Sequence, residues 1–277
     1  MIKKTHPAFL HYFNKYSKTQ APFMHRQLEE WSRTKPLANM RVLHHLPLVP
    51  NTLLKIACLV ASGAEVTVTN PSSFVTAHPD AIACLKEANI RYIEELSSLS
   101  SEKLDIYFDC GAEAFQALGS PVIGSVELTG SGDQYYRKNQ DALDFPVISI
   151  DRTQTKQLET IFGTAESASQ AIQNLTHINP AEKSWMVFGF GKIGRGLAYF
   201  CDQYKTPITI VESSQEARNM AEALGLKAID ALDKNAIQEA LIHTDIVVTA
   251  TGGKAIIAEY PCEWFANKIL ANMGVYD

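Results

Sequence analysis

The segment Gly189-Phe-Gly-Lys-Ile-Gly194 constrains this chain more than any other. It follows the apolar run Trp185-Met-Val-Phe188 and opens an amphipathic stretch from Ile193 to Gln203, which reads as a strand, a tight turn and a helix. At this spacing Gly189 permits the turn, Gly191 lets the backbone approach a pyrophosphate, and Gly194 allows close packing of helix on strand. Lys192 and Ile193 start the helix, whose unsatisfied N–H groups face the same place. A second strand, Pro207-Ile-Thr-Ile-Val211, ends at Glu212, roughly 20 residues past the motif, where a carboxylate accepts hydrogen bonds from ribose hydroxyls and repels a 2′-phosphate. The expected cofactor is therefore NAD rather than NADP, with Arg218 the nearby residue able to soften that preference. The competing reading, a tight strand-to-helix connection with no ligand, leaves the register of Glu212 as coincidence.

Alternation of strands and helices extends along the rest of the chain. Met40-Arg-Val-Leu-His-His-Leu46 reads as a strand, Pro47 and Pro50 as a turn, Thr52 to Ser62 as a helix closed by Gly63, and Glu65-Val-Thr-Val-Thr69 as the next strand. A helix around Pro79 to Glu87 leads to Ile90-Arg-Tyr-Ile93, and further strands are expected at Leu104-Asp-Ile-Tyr-Phe108, Pro121-Val-Ile123 and Phe145-Pro-Val-Ile-Ser-Ile150. Between Thr153 and His177 apolar residues recur at helical spacing, and Asn179-Pro180 breaks the run. Two more strands are expected at Asp245-Ile-Val-Val-Thr249 and Lys268-Ile-Leu-Ala-Asn272. The expected fold is α/β, with two doubly wound parallel-sheet domains: a substrate-type domain over 1–152, a linking helix over 153–180, and a Rossmann dinucleotide-binding domain over 181–277. A cleft between the domains is the expected meeting place of a nicotinamide and a small ligand.

Composition excludes several classes. The formal charge is −5, the pI is near 5.9, and the basic residues are scattered, so no footprint for nucleic acid is present. After Met1-Ile-Lys-Lys4, polar residues from His6 to Lys18 interrupt any signal-like apolar core. No stretch has the apolar length to cross a bilayer, and the chain reads as cytoplasmic. The five cysteines form no Cys-x-x-Cys pair, and the eight histidines show no metal-ligand spacing, so they read as mostly buried thiols and no metal is expected.

With these segments in hand, the chain resembles the S-adenosylhomocysteine hydrolases from about residue 20 to its end. The resemblance rests on Val187-Phe-Gly-Phe-Gly-Lys-Ile-Gly-Arg-Gly196, Asp245-Ile-Val-Val-Thr-Ala-Thr-Gly-Gly-Lys-Ala-Ile-Ile257 and Ile269-Leu-Ala-Asn-Met-Gly-Val-Tyr-Asp277. Lys35-Pro-Leu-Ala-Asn-Met-Arg-Val42, Ala61-Ser-Gly-Ala-Glu-Val66 and Phe162-Gly-Thr-Ala-Glu-Ser167 add to it. The resemblance implies an NAD used transiently to oxidise a nucleoside 3′-hydroxyl, so that homocysteine can leave. It also places Thr129, Thr251, Gly252, Asn272 and Gly274 at NAD-contacting positions, beside the glycine motif and Glu212.

The same resemblance implies losses. Where the family has a histidine this chain has Pro47, its aspartate falls on Cys110, and its glutamate falls on Leu128. Lys156 matches the active-site lysine, Glu159 and Thr160 stand where an aspartate and an asparagine follow, and the histidine near the nicotinamide corresponds to Val275. Lys156 and Glu159 are the candidate acid–base residues, the alternative being an exposed helical pair. His45, on the same strand face as Pro47, is a candidate substitute, the alternative being a histidine satisfied locally. Cys110 reads as a buried neutral thiol, and Asp109 and Glu127 could supply carboxylates if the register differs by one.

The expected function is an adenosylhomocysteinase-like, nucleotide-binding protein of one-carbon metabolism with hydrolysis lost or altered. The alternatives are an NAD-dependent oxidoreductase or lyase on another small metabolite, and a non-catalytic NAD-sensing regulatory protein. Expected partners are a small molecule such as a nucleoside, and a second copy or another protein; no nucleic acid or membrane is expected.

Overall fold

The computed structural model describes residues 6–71 and 75–274, so Val275 and the Met1-Ile-Lys-Lys4 start lie outside the described residues. Contacts divide the chain into two compact units, the first ending at Thr153 and the second starting at Gln154.

In the first unit, helices α1 (Pro7–Lys15) and α2 (Pro22–Thr34) precede strand β1 (Arg41–His45), helix α3 (Leu53–Ala61), strand β2 (Glu65–Thr69), helix α4 (Pro79–Glu87) and strand β3 (Arg91–Tyr92). Strand β4 (Ile106–Asp109), helix α5 (Glu113–Leu118), strand β5 (Gly124–Glu127), helix α6 (Gly130–Lys138) and strand β6 (Val147–Ser149) follow. All pairings are parallel, in the order β3-β2-β1-β4-β5-β6. The order reverses between β1 and β4, and the carboxyl ends of those two strands are the place where open α/β sheets take ligands.

Strand alternation sorts the core into two layers. Val42 packs with Ile56, Leu59 and the α1 residues Phe9 and Phe13, whereas Leu43 packs with Leu99, Tyr107 and Ala114. Each such side chain contributes roughly 1.5–3 kcal/mol by leaving water. The sequence reading did not anticipate α1 and α2, which pack against α3, with α1 also reaching α4.

The strand expected at Pro121-Val-Ile123 forms instead at Gly124–Glu127. Val122 and Ile123 are 57 % and 45 % exposed, so their hydrophobicity marks the approach to the strand. The strand itself starts with Gly124 and Ser125, because a Cβ at Gly124 would meet the Pro146 carbonyl oxygen at 2.8 Å.

The second unit begins with α7 (Gln154–Leu158), a π-helical turn over Glu159–Gly163 and α8 (Thr164–Thr176). Strand β7 (Trp185–Phe188), α9 (Lys192–Tyr204), β8 (Ile208–Glu212), α10 (Gln215–Ala223), β9 (Lys227–Asp230), α11 (Lys234–Ile242), β10 (Ile246–Thr249) and β11 (Ile269–Asn272) complete it. The strand order is β11-β10-β7-β8-β9, all parallel, and the switch point lies between β7 and β10. Trp185 and Val187 face Leu197, Cys201 and the α8 residues Ala165, Ala168 and Ile172; Met186 and Phe188 face Ile237, Leu241 and Phe265. The unbroken helix expected over 153–177 carries the π turn where α9 crosses it, since a Cβ at Gly196 would fall on the Ile161 carbonyl oxygen. No helix among the described residues is long and apolar enough to cross a membrane.

Candidate functional site

In the second unit the chain leaves β7 through Gly189 at φ +104°, a conformation only glycine adopts without strain. Gly191 caps α9, and nothing lies within 4 Å of a Cβ built there, which leaves the approach to the helix N-terminus open. A Cβ on Gly194 would collide with the Gly189 carbonyl oxygen. The turn and the first turn of α9 therefore touch backbone to backbone, and the N–H groups around Lys192 and Ile193 stand at an open, electropositive helix end.

Glu212 closes one side of this turn. One carboxylate oxygen accepts the Phe190 amide at 2.8 Å, and the other accepts the Ser214 amide at 2.8 Å and the Ser213 hydroxyl at 3.2 Å. Burial pushes its carboxyl up, but the Ser214 and Phe190 amides outweigh that and hold it below its ordinary value. Glu212 is thus a charged, partly exposed acceptor tied to the glycine turn.

Arg218 does not take the part expected of it. It is 8 % exposed, donates to the carbonyl oxygens of Glu212 and Ser213, each at 2.7 Å, and pairs with Asp230 at 2.6 Å. These contacts hold its guanidinium away from any 2′-phosphate role.

On the far side of the switch point, Thr249 and Asn272 end paired strands. Asn272 Oδ1 accepts from the Thr249 hydroxyl at 3.0 Å and from the Gly274 amide at 2.7 Å, and the Thr251 hydroxyl accepts the Gly253 amide at 3.0 Å. A Cβ at Gly274 would fall on the Thr251 carbonyl oxygen, whereas Gly252 has open space around it. The structure therefore gathers Gly189, Gly191, Lys192, Ile193, Gly194, Glu212, Thr251, Gly252, Asn272 and Gly274 along the carboxyl ends of β7, β8, β10 and β11. Thr129, the remaining expected contact, lies in the first unit as the N-cap of α6, accepting the Gly132 amide at 3.1 Å.

In the first unit the two carboxylates next to the altered positions are fully buried. Asp109 accepts the amides of Cys110 (2.8 Å), Ala114 (2.9 Å) and Phe115 (3.2 Å) and the Tyr136 hydroxyl (2.8 Å). Glu127 accepts the amides of Gly111 (3.1 Å), Ala112 (3.0 Å) and Thr129 (2.7 Å) and the Thr129 hydroxyl (2.6 Å). Burial raises the Glu127 carboxyl above its ordinary value, the Thr129 donors oppose that, and Asp109 adds to the rise. Eight donors of the chain itself converge on the two groups, which fasten the loop over 110–112 and the starts of α5 and α6.

Cys110 is buried, and Pro47 is half-buried in the loop after β1. His45, 1 % exposed, meets the Thr69 hydroxyl at 2.7 Å through Nδ1 and Glu113 at 3.0 Å through Nε2. Sequence reasoning passed over Glu113; its only signal was an acidic residue four past the end of a strand. Lys156 and Glu159 meet at 2.9 Å on the outside of α7 and its π turn, with the Glu159 side chain 61 % exposed.

Residues 160–277 match the sequence model of the family described as S-adenosyl-L-homocysteine hydrolase, NAD binding domain. Over 284 residues the chain is 28 % identical to the S-inosyl-L-homocysteine hydrolase of Methanococcus maripaludis, covering 95 % of this chain and 67 % of that protein. It is also 28 % identical over 271 residues to the adenosylhomocysteinase of Archaeoglobus fulgidus, covering 90 % and 65 %. The chain thus spans about two thirds of the length of these curated relatives. Among solved structures, a dipicolinate synthase chain from Bacillus halodurans superposes with a TM-score of 0.51 at 10 % identity, covering 86 % of this chain and 83 % of that one, a likeness of fold.

Proposed function

We propose that this chain, whose residues 160–277 match the NAD-binding domain of the S-adenosylhomocysteine hydrolases, belongs to that family and keeps its cofactor while having lost or altered the ordinary hydrolysis of S-adenosylhomocysteine. The observation that carries this reading is the saturation of Asp109 and Glu127 by the chain's own donors. A carboxylate so held cannot collect a proton without giving up bonds that position its own loop. Pro47 and Leu128, at the neighbouring altered positions, have no side-chain group that transfers protons.

On the cofactor side, the N–H groups at the start of α9 would hold a pyrophosphate, Glu212 would accept ribose hydroxyls, and Thr251, Gly252, Asn272 and Gly274 would complete the NAD site. NAD, when bound, supplies a hydride acceptor. The ligand of the first unit is a nucleoside or nucleoside thioether. The names of the relatives make inosyl as well as adenosyl compounds the first to test.

The test is the near-ultraviolet absorbance of reduced nicotinamide when purified protein with NAD meets adenosine, inosine, S-adenosylhomocysteine and S-inosylhomocysteine in turn. A slow or partial rise without release of homocysteine supports an altered reaction, and no rise with NAD bound supports its loss. Rapid reduction followed by homocysteine release from S-adenosylhomocysteine contradicts the proposal.

A second reading, an oxidoreductase or lyase on another metabolite, is favoured by the Lys156–Glu159 pair beside the π turn, a helix irregularity frequent at functional sites. In that case Lys156→Ala abolishes turnover of the true substrate; unchanged turnover removes the assignment.

A further inference from the structure

Among the described residues the first unit contains a hydrogen-bonded chain separate from Asp109 and Glu127. Thr69, at the end of β2, and His45, at the end of β1, are both buried, and His45 reaches across to Glu113 at the start of α5. Glu113 is the first helical residue after the loop from β4, so Thr69, His45 and Glu113 line up across the carboxyl ends of β2 and β1 to the switch point between β1 and β4. The residue before Glu113, Ala112, is fully buried with φ +57°, a left-handed backbone that an alanine adopts only where its surroundings impose it. The Ala112 amide is pinned to Glu127, and this sets the direction in which α5 presents Glu113.

We propose that Glu113 is the ligand-facing proton acceptor of the first unit, that His45 is its positioning residue, and that the ligand is an uncharged, hydroxyl-bearing small molecule. This rests on the family reading above and names the group that stands in for Pro47, Cys110 and Leu128. Glu113 is suited to the task because its side chain keeps 27 % of its surface exposed, whereas that of His45 keeps 1 %. With Nδ1 accepting the Thr69 hydroxyl, the imidazole carries its proton on Nε2 and donates it to the carboxylate, which fixes the tautomer and the carboxylate orientation. A ligand hydroxyl hydrogen-bonds to the carboxylate; on proton transfer the ligand O–H bond breaks, a carboxyl O–H bond forms, and the electron pair stays on the ligand oxygen. The ligand class follows from charge. Asp109 and Glu127 lie under the same loop as Glu113, so an anionic ligand is repelled, and a neutral hydroxyl is the donor that suits a carboxylate held by His45.

The test is calorimetric titration of the full chain with adenosine and with inosine, with and without NAD, together with imidazole 15N spectra. Glu113→Gln is expected to weaken nucleoside binding by about tenfold or more while NAD affinity stays as in the wild type. Thr69→Val weakens nucleoside binding, and Thr69→Ser, which keeps the hydroxyl, restores it. The His45 15N resonances move on adding adenosine to the wild type and not to Glu113→Gln, a signature that a purely structural pair does not give. Wild-type binding in Glu113→Gln, or a wild-type chain that takes up neither nucleoside, overturns the proposal. Absence of NAD binding instead contradicts the family-based reading, and the comparison without NAD still decides the role of Glu113.

Discussion

Arg218 donates to the main-chain carbonyl of Glu212 at 2.7 Å while pairing with Asp230 at 2.6 Å. The same residue therefore fixes the end of β8 and is unavailable to a 2′-phosphate. Cofactor choice falls to the Glu212 carboxylate, and two substitutions separate the roles. Glu212→Ala is expected to weaken NAD about tenfold and to narrow the preference over NADP, by removing both an acceptor and a repelling charge. Arg218→Ala leaves the NAD-to-NADP ratio unchanged and costs roughly 1–3 kcal/mol of stability, because the carbonyl oxygens of Glu212 and Ser213 lose their donor. Fluorescence titration with each dinucleotide and thermal unfolding check both outcomes.

Gly194→Ala tests the glycine turn itself. The added Cβ falls on the Gly189 carbonyl oxygen, so α9 must move away from the turn, at about 1–3 kcal/mol in strain. NAD binding is expected to weaken by more than tenfold, and unfolding to begin at a lower temperature. Wild-type affinity in this variant would show that the turn does not hold the pyrophosphate.

His44 gives a pH dependence unrelated to ligand. It is fully buried, both ring nitrogens lack a hydrogen-bond partner among the described residues, and burial first, then the charge of Lys55, holds its pKa well below the ordinary value. Burial in turn brings Lys55, whose amine stands 4.1 Å from the centre of the Phe108 ring, down to about 8. For His44 a lowered folded pKa means that the unfolded chain binds its proton at the higher pH. Its contribution is therefore complete above about pH 6.5 and is lost below it at up to about 1.4 kcal/mol per pH unit, until the folded imidazole itself titrates. His44→Leu is expected to shallow the fall in melting temperature between pH 6.5 and 5; a parallel shift at all pH values would remove His44 as its source.

Much of the second unit was legible in the sequence for a physical reason. Strands β7 and β10 are buried on both faces, so Trp185-Met-Val-Phe188 and Ile246-Val-Val-Thr249 stand out as continuous apolar runs. Strand β9, Lys227–Asp230, lies at the sheet edge with a mixed burial pattern, and offered no such run. In the first unit β5 was displaced because apolar Val122 and Ile123 precede it and Gly124 and Ser125 open it. Helices α1 and α2 carried a signal in Pro7 and Pro22 at their first turns, but the βα alternation that follows them was the stronger pattern.

For the candidate sites the limit was different. Gly189, Gly194 and Glu212 are local in sequence, and their geometry follows from the turn they make. The engagement of Asp109 and Glu127, the diversion of Arg218 to Asp230, and the contact of His45 with Glu113 across 68 residues depend on tertiary neighbours that spacing along the chain does not reveal.

Homocysteine release from S-adenosylhomocysteine by the purified, NAD-loaded chain, with bound NAD quantified in the same sample, decides whether the ordinary reaction has been lost or altered. NAD bound in stoichiometric amount, and no thiol release at the rate of an ordinary hydrolase, are the expected results. Sustained multiple turnover would contradict the proposed loss or alteration of the reaction.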